Sequence, residues 1–303
     1  MSASNPLQQP APDSASPQVF SRSLARSASR LRATHLAGMA VDALVDEAML
    51  TPKPGLVDMR GSGAHSDLSW LLMCRSACAL RPGFLRMAEA GAATRDAMLL
   101  RRRIGAIGRD TEAAMMAQTG GVNTHRGAIW ALGLLVTAAA RGSGPDAAAI
   151  AREAGLLASI DDPGAPASTG HKGELACLAH GVGGARGQAR AGFPAVVDAA
   201  LPMLRLSRAR GDGEAQARVN ALLAVMATLD DTCLLARGGR RALLATQSGA
   251  RRVLALGGIG APQGRAALRG LERRMRRLHV SPGGAADLLA AALLLDSIER
   301  EWK

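Results

Sequence analysis

The residues best suited to chemistry lie in one short stretch, TGGVNTHRG, at positions 119–127. It combines glycines with hydroxyls, an amide, an imidazole and a guanidinium. Because each glycine costs a helix about 1 kcal/mol, Gly120 and Gly121 predict a turn with free backbone N–H groups. An apolar helix is predicted over residues 128–140, so Asn123, Thr124 and His125 should lie at a helix N-terminus, where anions are stabilised. We therefore expect a phosphate-bearing ligand; the alternative is an ordinary loop with an Asn cap and a surface histidine.

Residues 51–58 form a second polar break, in which Lys53 stands between two prolines and Asp58 ends the segment. Glu47 lies one turn upstream. Two prolines stiffen the chain, so less ordering entropy is lost when the lysine binds a phosphate. The alternative is a solvent-exposed lysine in a proline-rich turn.

Residues 63–67, GAHSD, pair an imidazole with a carboxylate. Asp67 could bind a metal directly or orient His65. It could equally cap the helix predicted to follow it.

The glycine-rich segment 181–194 matches neither a dinucleotide-binding nor a Walker fingerprint, because it lacks the preceding strand and the Gly-Lys-Ser/Thr ending. We expect a flexible backbone nest with Arg186 projecting from it, suited to oxyanions.

Asp230 and Asp231 are followed by the cationic glycine turn that begins at Arg237. Since Mg²⁺ binds carboxylates together with substrate phosphates, the pair predicts a magnesium–nucleotide site. The alternative is that Asp231 and Thr232 cap a helix.

A last glycine-rich segment, SPGGAAD at 281–287, opens the final predicted helix. We predict Ser281 as its N-cap and Pro282 as its first residue. Gly283 then leaves bare N–H groups at the helix start, with the acid Asp287 in the first turn.

The elements that position these breaks are predicted to be helices. Aromatic residues make up 2% of the chain and apolar residues 48%, so the core must consist of helix-forming Ala, Leu, Val and Met. Apolar residues recur at helical spacing and strand-like alternation is almost absent. The predicted helices span residues 31–50, 67–80, 84–93, 97–118, 128–140, 147–158, 172–179, 194–209, 214–229, 240–256, 263–278 and 282–302. We predict one compact all-α domain over residues 30–303, with glycine-rich active-site loops.

Residues 1–29 are rich in Ser, Pro, Ala and Gln and contain no continuous apolar segment like a secretory signal. They predict a disordered tail, and Asp13 and the early prolines argue against a transit peptide. No apolar run reaches the roughly 18 residues of a membrane span, so we expect no membrane insertion.

The formal charge is +12, almost all of the basic residues being arginine. This would suit a nucleic acid, an anionic membrane or a polyanionic small substrate, and arginine favours bidentate phosphate contacts. An arginine-rich proteome would produce the same bias. Four cysteines without paired Cys-x-x-Cys spacing predict reduced core thiols rather than zinc ligands, in a cytoplasmic protein.

Taken together, the motifs resemble the triphosphoribosyl-dephospho-coenzyme A synthases. They are TPKPGLVD at 51–58, GAHSD at 63–67, GGVNTHRG at 120–127, GARG at 184–187, GFP at 192–194, DT at 231–232, RGG at 237–239 and SPGGAAD at 281–287. All follow the family's order, from about residue 40 to 295.

The resemblance implies an all-helical enzyme that converts ATP and 3'-dephospho-CoA into 2'-(5''-triphosphoribosyl)-3'-dephospho-CoA and adenine. Arg126, the RGSG at 60–63 and Ile129-Trp130 look more like the malonate decarboxylase branch than the citrate lyase branch. The product would then enter an acyl-carrier protein pathway. Ser69, Gln188 and Cys233 depart from the family's usual acid, glutamate and asparagine, which puts in doubt any essential acid at positions 69 and 188.

This reaction needs a carboxylate near the developing oxocarbenium ion, a base for the attacking ribose hydroxyl and a donor for the departing adenine. We expect the base to be His125, Asp58 or Asp67, with His65 as a further catalytic candidate. Phosphate and nucleotide contacts are assigned to Lys53, Gly120, Gly121, Asn123, Thr124, Arg126, Arg186, Arg237, Ser281 and Gly283. Asp230 and Asp231 are the expected Mg²⁺ ligands.

Two other functions remain open from the sequence. A nucleotide N-glycosidase would use the same pocket with water as acceptor. A nucleic-acid-binding helical protein would use the arginine runs at 101–103, 240–241, 251–252 and 273–277, although the shortage of aromatics removes the stacking platform that single strands prefer. We therefore expect small-molecule partners and no nucleic acid.

Overall fold

The computed structural model describes residues 17–302, with side chains described from residue 26. The all-α prediction is confirmed: within these residues the only β pairing is a single bridge between Asp58 and Gly61. The α-helices are α1 Pro17–Met49, α2 Trp70–Ala79, α3 Arg81–Ala93, α4 Ala97–Gln118, α5 Arg126–Ala140, α6 Ala147–Ser159, α7 Lys172–His180, α8 Gly184–Arg190, α9 Leu201–Ala209, α10 Glu214–Thr228, α11 Thr232–Ala255, α12 Pro262–Arg277 and α13 Gly283–Glu301. A π-helical segment, Ala195–Ala200, leads into α9, and a 3₁₀ turn, Gly258–Gly260, precedes α12.

Helices α5 and α13 form the centre of the molecule. Both are apolar on nearly every face, as expected of helices surrounded by other helices. The α5 helix packs against α3, α6 and α13, and α13 also packs against α1 and α10. The buried apolar side chains from Ala33 to Ile298 form one connected core. The N-termini of both central helices point into the candidate site described below.

Small residues allow α3 and α5 to approach closely. A Cβ on Gly91 would lie 2.4 Å from the carbonyl oxygen of Thr137, and one on Gly133 would lie 2.5 Å from the sulfur of Met87. Neither distance is compatible with van der Waals contact. With few aromatic side chains available, the core gains dispersion energy by bringing backbones together around Ala and Gly.

Most helices begin and end within a few residues of their predicted positions, and α4 has the predicted bounds. The nest predicted at 181–194 is wrong, because residues 184–190 form α8. The turn predicted at Arg237 is also displaced: α11 starts at Thr232, Arg237 lies within it, and the helix is interrupted at Gly239, whose φ of 61° is left-handed. Residues 1–16 of the predicted tail lie outside the described residues, whereas residues 17–29 are helical.

By length and composition, no single helix in the described range could cross a membrane. Helices α10 and α11, bent by 61° at their junction, pass the same test only as a pair.

Candidate active site

Glu47 and Lys53 form an ion pair inside the protein. Glu47 lies on the buried face of α1, and the loop that follows returns Lys53 to it, with Nζ 2.6 Å from Glu47 Oε1 and 2.5 Å from its carbonyl oxygen. Lys53 is 2% exposed. The prediction that Lys53 extends to a phosphate therefore does not fit this arrangement: its charge is compensated by Glu47, as a buried charge requires.

Asp58 holds the loop together. Its Oδ2 accepts the backbone N–H of Lys53 at 2.9 Å and its Oδ1 that of Arg60 at 2.8 Å, and the Arg60 guanidinium lies 2.6 Å from Oδ2. Arg60 also bridges to Glu272 of α12 at 3.0 Å. With both oxygens bonded and 2% exposure, Asp58 is placed as a structural group rather than as the predicted base.

His125 immediately precedes α5 and is 2% exposed. Its Nδ1 lies 3.2 Å from the hydroxyl of Ser76 in α2, which in turn lies 2.6 Å from Thr124 Oγ1. Nε2 is buried without a hydrogen-bond partner among the described residues. Burial, with the nearby Lys53 ammonium, lowers the pKa of His125 to about 3. The ring is thus neutral, with one nitrogen available to a ligand.

Asp287 lies on the first turns of α13, facing the start of α5. A Cβ on Gly127 would lie 2.1 Å from Asp287 Oδ2, so only glycine fits at that position. Burial raises the pKa of Asp287 well above its usual range, the charges of Glu47 and Asp231 add to this, and the backbone N–H of Ala128 partly offsets it. Asp287 therefore holds a proton more readily than an ordinary aspartate.

Asp231 joins two helix N-termini. Its Oδ1 accepts the N–H of Cys233 at the start of α11 at 2.8 Å, and its Oδ2 accepts that of Ala285 in α13 at 2.9 Å. The prediction that Ser281 caps the last helix is wrong: the helix starts at Gly283, the cap comes from Asp231, and Ser281 Oγ is buried without a partner among the described residues. Burial raises the pKa of Asp231, and the N–H donors partly offset the rise.

Metal binding by Asp230 and Asp231 is not favoured by this geometry. Asp230 is exposed, whereas Asp231 is buried and its oxygens accept backbone N–H groups. Among residues 26–302, no three His, Cys, Asp or Glu side chains are grouped as metal ligands. The capping alternative describes Asp231 correctly.

The three arginines predicted to bind phosphate lie on α5, α8 and α11. Arg126 follows His125, its Nε lies 2.6 Å from Glu112, and its backbone N–H donates to Asn123 Oδ1 at 3.1 Å. Arg237 is exposed on α11. Arg186 is exposed on α8, whose first residue packs against α7 and α11.

The predicted His65–Asp67 pair is loose, with 3.8 Å between Nδ1 and Oδ1, and Asp67 is 62% exposed. Arg237 Nη2 instead lies 3.2 Å from His65 Nδ1. Burial and the Arg237 charge lower the pKa of His65 to about 4, although Asp67 opposes this. His65 is therefore a neutral acceptor that orients Arg237. The helix after Asp67 is capped by Ser69, which accepts the N–H of Leu72.

The glycines at 120 and 121 form the predicted turn, with φ of 64° and 89° and no atom within 4 Å of a built Cβ. Sequence reasoning left three residues of the cluster out of the site: Glu47, Ser76 and Asp287. Glu47 carried a signal, since it falls three and four residues after Leu44 and Ala43 on the apolar stripe of α1. A carboxylate on a buried face needs a partner.

Comparison with known proteins identifies the family of this chain. The family model described as ATP:dephospho-CoA triphosphoribosyl transferase, CitG, matches residues 33–303. A protein of Stutzerimonas stutzeri, named "Probable 2-(5''-triphosphoribosyl)-3'-dephosphocoenzyme-A synthase", is 55% identical over 88% of this chain and 92% of its own length. A Pseudomonas fluorescens protein with the same name is 54% identical over 89% of this chain and 93% of its own length.

No solved structure matches the chain significantly. The family model covers nearly the whole helical body, and the relatives exceed half identity over most of their length. The chain therefore belongs to the CitG family of ATP:dephospho-CoA triphosphoribosyl transferases and is an enzyme.

Proposed function

We propose that the protein transfers the 5-triphosphoribosyl group of ATP to a ribose hydroxyl of 3'-dephospho-CoA and releases adenine. The product would be 2'-(5''-triphosphoribosyl)-3'-dephospho-CoA. Family membership supports the reaction. The observation that carries the assignment to this site is the buried cluster of Glu47, Lys53, His125 and Asp287, which combines carboxylates with a neutral imidazole that has a free nitrogen.

Replacing adenine at C1' of the ATP ribose develops positive charge on the sugar, which a nearby carboxylate stabilises. We assign this role to the Glu47 carboxylate. Glu47 is held by Lys53 and Asp287 by the start of α5, so neither has to reorganise when the charge develops. The proton that Asp287 retains is suited to assisting the departure of adenine.

His125 is the proposed general base for the attacking hydroxyl. Of the candidates from the sequence, Asp58 has both oxygens engaged and Asp67 lies mostly in solvent. His125 Nε2 has no partner among the described residues, and a buried polar atom in that state gains free energy from a ligand atom.

The triphosphate is proposed to bind at the rim, to Arg126, Arg186 and Arg237. Two of these side chains are exposed, and Arg237 is oriented by His65. Arginine matches phosphate oxygens with bidentate hydrogen bonds. Further nucleotide contacts are proposed from the loop and helix starts: Gly120, Gly121, Asn123, Ser281 and Gly283. The predicted contact from Thr124 is not retained, because its hydroxyl lies 2.6 Å from Ser76 Oγ.

Mg²⁺ would enter with the nucleotide. It usually keeps several waters and binds substrate phosphates rather than an all-protein cage. The geometry around Asp231 does not fit a protein-held ion, so no step is assigned to the metal.

The test is adenine release from ATP with and without 3'-dephospho-CoA. Release that depends on the acceptor, with a matching mass for the product, supports the transferase. Equal release without the acceptor would identify a nucleotide N-glycosidase instead.

We further propose that the reaction runs in the cytoplasm and serves the acyl-carrier protein of malonate decarboxylase rather than that of citrate lyase. The support is the sequence around Arg126, residues 60–63 and Ile129-Trp130. Complementation of strains that lack the equivalent synthase tests this. Restored malonate decarboxylation without restored citrate cleavage supports the proposal, and the reverse result would overturn it.

A further inference from the structure

Ser76 links the candidate base to a side chain at the surface. Its hydroxyl is fully buried, 3.2 Å from His125 Nδ1 and 2.6 Å from Thr124 Oγ1. Thr124 is partly exposed, so its hydroxyl can exchange protons with solvent. A continuous row of three polar groups therefore runs from the imidazole to the surface, on the side of the ring opposite to the free Nε2.

We propose that Ser76 and Thr124 form a proton relay that allows His125 to accept the substrate's proton without becoming charged. This proposal rests on the proposed function. The starting tautomer carries its proton on Nδ1. As Nε2 takes the proton of the attacking hydroxyl, the Nδ1 proton passes to Ser76 Oγ, the Ser76 proton passes to Thr124 Oγ1, and the Thr124 proton leaves to solvent.

The protons and electron pairs balance in these steps. The substrate oxygen uses its freed electron pair to bond to C1', while the C1'–adenine bond breaks and its electron pair leaves with adenine. Asp287 gives its proton to the departing adenine. After product release, water takes the proton from Nε2 and returns one to Asp287, and Nδ1 regains a proton from solvent through the same two hydroxyls. The imidazole ends in its original tautomer, and no oxidant or other reactant is needed.

The surroundings explain why such a relay is needed. The ring is buried beside the Lys53 ammonium, and its pKa of about 3 makes an imidazolium ion costly at neutral pH. The backbone N–H of His125 faces Met115 Sδ at 3.2 Å, and a thioether is only a weak acceptor. Glu47 is already paired with Lys53. Ser76 is the one side-chain partner of His125 Nδ1 among the described residues.

The experiment compares Thr124→Val with Thr124→Ser. Valine removes the hydroxyl at nearly constant shape, and we expect kcat for adenine release to fall about 10- to 100-fold, within the range that proton transfer contributes, while KM for ATP changes little. Serine keeps the hydroxyl and should retain most of the activity. Ser76→Ala should match or exceed the loss in the valine variant. Thr137→Val is the control: this buried threonine donates to the carbonyl of Gly133 within α5.

The solvent deuterium isotope effect on kcat tests the relay directly. For the wild type, the dependence of kcat on the deuterium fraction should curve, because several protons move together. For Thr124→Val the plot should become linear. A valine variant with wild-type kcat and a curved plot would overturn the relay, as would a loss of activity that serine does not restore.

Nitrogen NMR of the His125 ring provides a readout that needs no turnover. We expect the proton on Nδ1 in the wild type and a changed tautomer ratio in Ser76→Ala. If the wild type releases no adenine in the presence of 3'-dephospho-CoA, the proposed function fails. The NMR result still tests the row of hydrogen bonds from His125 to Thr124, and a proton bound to Nε2 in the wild type would overturn it.

Discussion

The floor and the rim of the candidate site differ in both charge and depth. The floor, made of Glu47, Lys53, His125, Asp231 and Asp287, contains three acidic side chains, one cation and a neutral imidazole. The proposed rim, made of Arg126, Arg186 and Arg237, is cationic and largely exposed. The candidate site is therefore not uniformly positive: its buried floor is mainly acidic, and the arginines proposed to bind phosphate are more exposed.

The difference separates two tasks of the proposed reaction. A phosphate chain stays close to water, so exposed arginines can bind it without burying an unpaired charge. The sugar carbon is where positive charge develops, and the buried Glu47 carboxylate acts there in a low-dielectric environment. Substitutions in the floor should mainly lower kcat, whereas substitutions in the rim should mainly raise KM for ATP.

The largest expected effect is on catalysis from the floor. His125→Ala removes the proposed base and should lower kcat/KM for adenine release by about 10² to 10⁴. The neutral ring carries no charge for the phosphates, so KM for ATP should change little. Steady-state kinetics with 3'-dephospho-CoA in excess measures this. Near-normal turnover would assign the base elsewhere in the floor.

Breaking the buried pair of the floor should affect folding as well as activity. Lys53→Met leaves Glu47 buried and uncompensated, which costs roughly 3–5 kcal/mol of unfolding free energy. The double variant Glu47→Gln/Lys53→Met removes both charges and should recover much of that loss. Urea denaturation of the three proteins measures the effect. If the single variant is as stable as the wild type, Lys53 is not confined to the pair and a role in phosphate binding regains support.

Arg237→Ala tests the rim. Loss of a charged hydrogen bond to a phosphate costs about 1.5–3 kcal/mol, so KM for ATP should rise by about 10- to 100-fold with a smaller change in kcat. The matched control is Arg86→Ala, since Arg86 is exposed and pairs with Asp110 on α4. His65→Asn removes the imidazole that orients Arg237, so it should also raise KM for ATP, by a smaller factor. A fall in kcat with unchanged KM for ATP would mean that Arg237 acts in the chemical step and not in phosphate binding.

The helical fold could be predicted from the sequence because helical spacing and small apolar residues define each element locally. The turn at Gly120 and Gly121 was predicted on the same basis, from residues adjacent in the chain. The depth of each side chain could not be predicted, since it depends on distant elements. Lys53 lies inside because α1 presents Glu47 to it, and Asp231 caps a helix that starts 52 residues later.

Local pattern also misjudged two helix starts. Ser281 and Pro282 follow the usual sequence signal for an N-terminus, but the cap is supplied by Asp231 from across the site. At 184–190 the glycines suggested an open nest, but α8 forms, packed mainly against α6 and α5, with Gly184 in contact with Cys177. Tertiary packing outweighed local propensity in both places.

The neutral histidine of the floor should make stability depend on pH. The pKa of His125 is lowered from 6.5 to about 3, so the unfolded chain binds a proton that the folded protein excludes. The stability that His125 contributes is fully present above pH 6.5. Below that pH the free energy of unfolding falls by roughly 1 kcal/mol per pH unit. Asp231 and Asp287, whose pKa values are raised, act in the opposite direction.

The wild type and His125→Asn both contain Asp231 and Asp287. The difference between their free energies of unfolding therefore isolates the contribution of His125 from that of the two acids. Urea midpoints between pH 7 and pH 4 should converge as the pH falls. His279→Asn is the control, because His279 is exposed and its left-handed φ of 52° suits asparagine. A constant difference across this range would mean that the His125 ring is not held neutral by burial.

The smallest expected effect concerns positive charge away from the rim. Residues 232–282 hold eleven arginines and one acid, against 26 basic and 24 acidic residues in the rest of the sequence. On α12, Arg265, Arg269, Arg273 and Arg277 follow one another four residues apart, so each like-charged pair destabilises the helix by about 0.2–0.5 kcal/mol.

Arg273→Glu replaces two repulsive pairs with two attractive ones and should stabilise the protein by roughly 0.8–2 kcal/mol, measured as a higher urea midpoint at low salt. Because Arg273 belongs to α12 and not to the rim, KM for ATP should change much less than in Arg237→Ala. Arg273→Glu changes the net charge by two units and Arg237→Ala by one, so a smaller effect on KM in Arg273→Glu would show that the place of the charge matters and not its size. A comparable rise in KM in both, abolished by 0.5 M salt, would mean that the summed positive field attracts the nucleotide and that the rim arginines hold no special position, since about 4 Å of Debye length remains at that ionic strength.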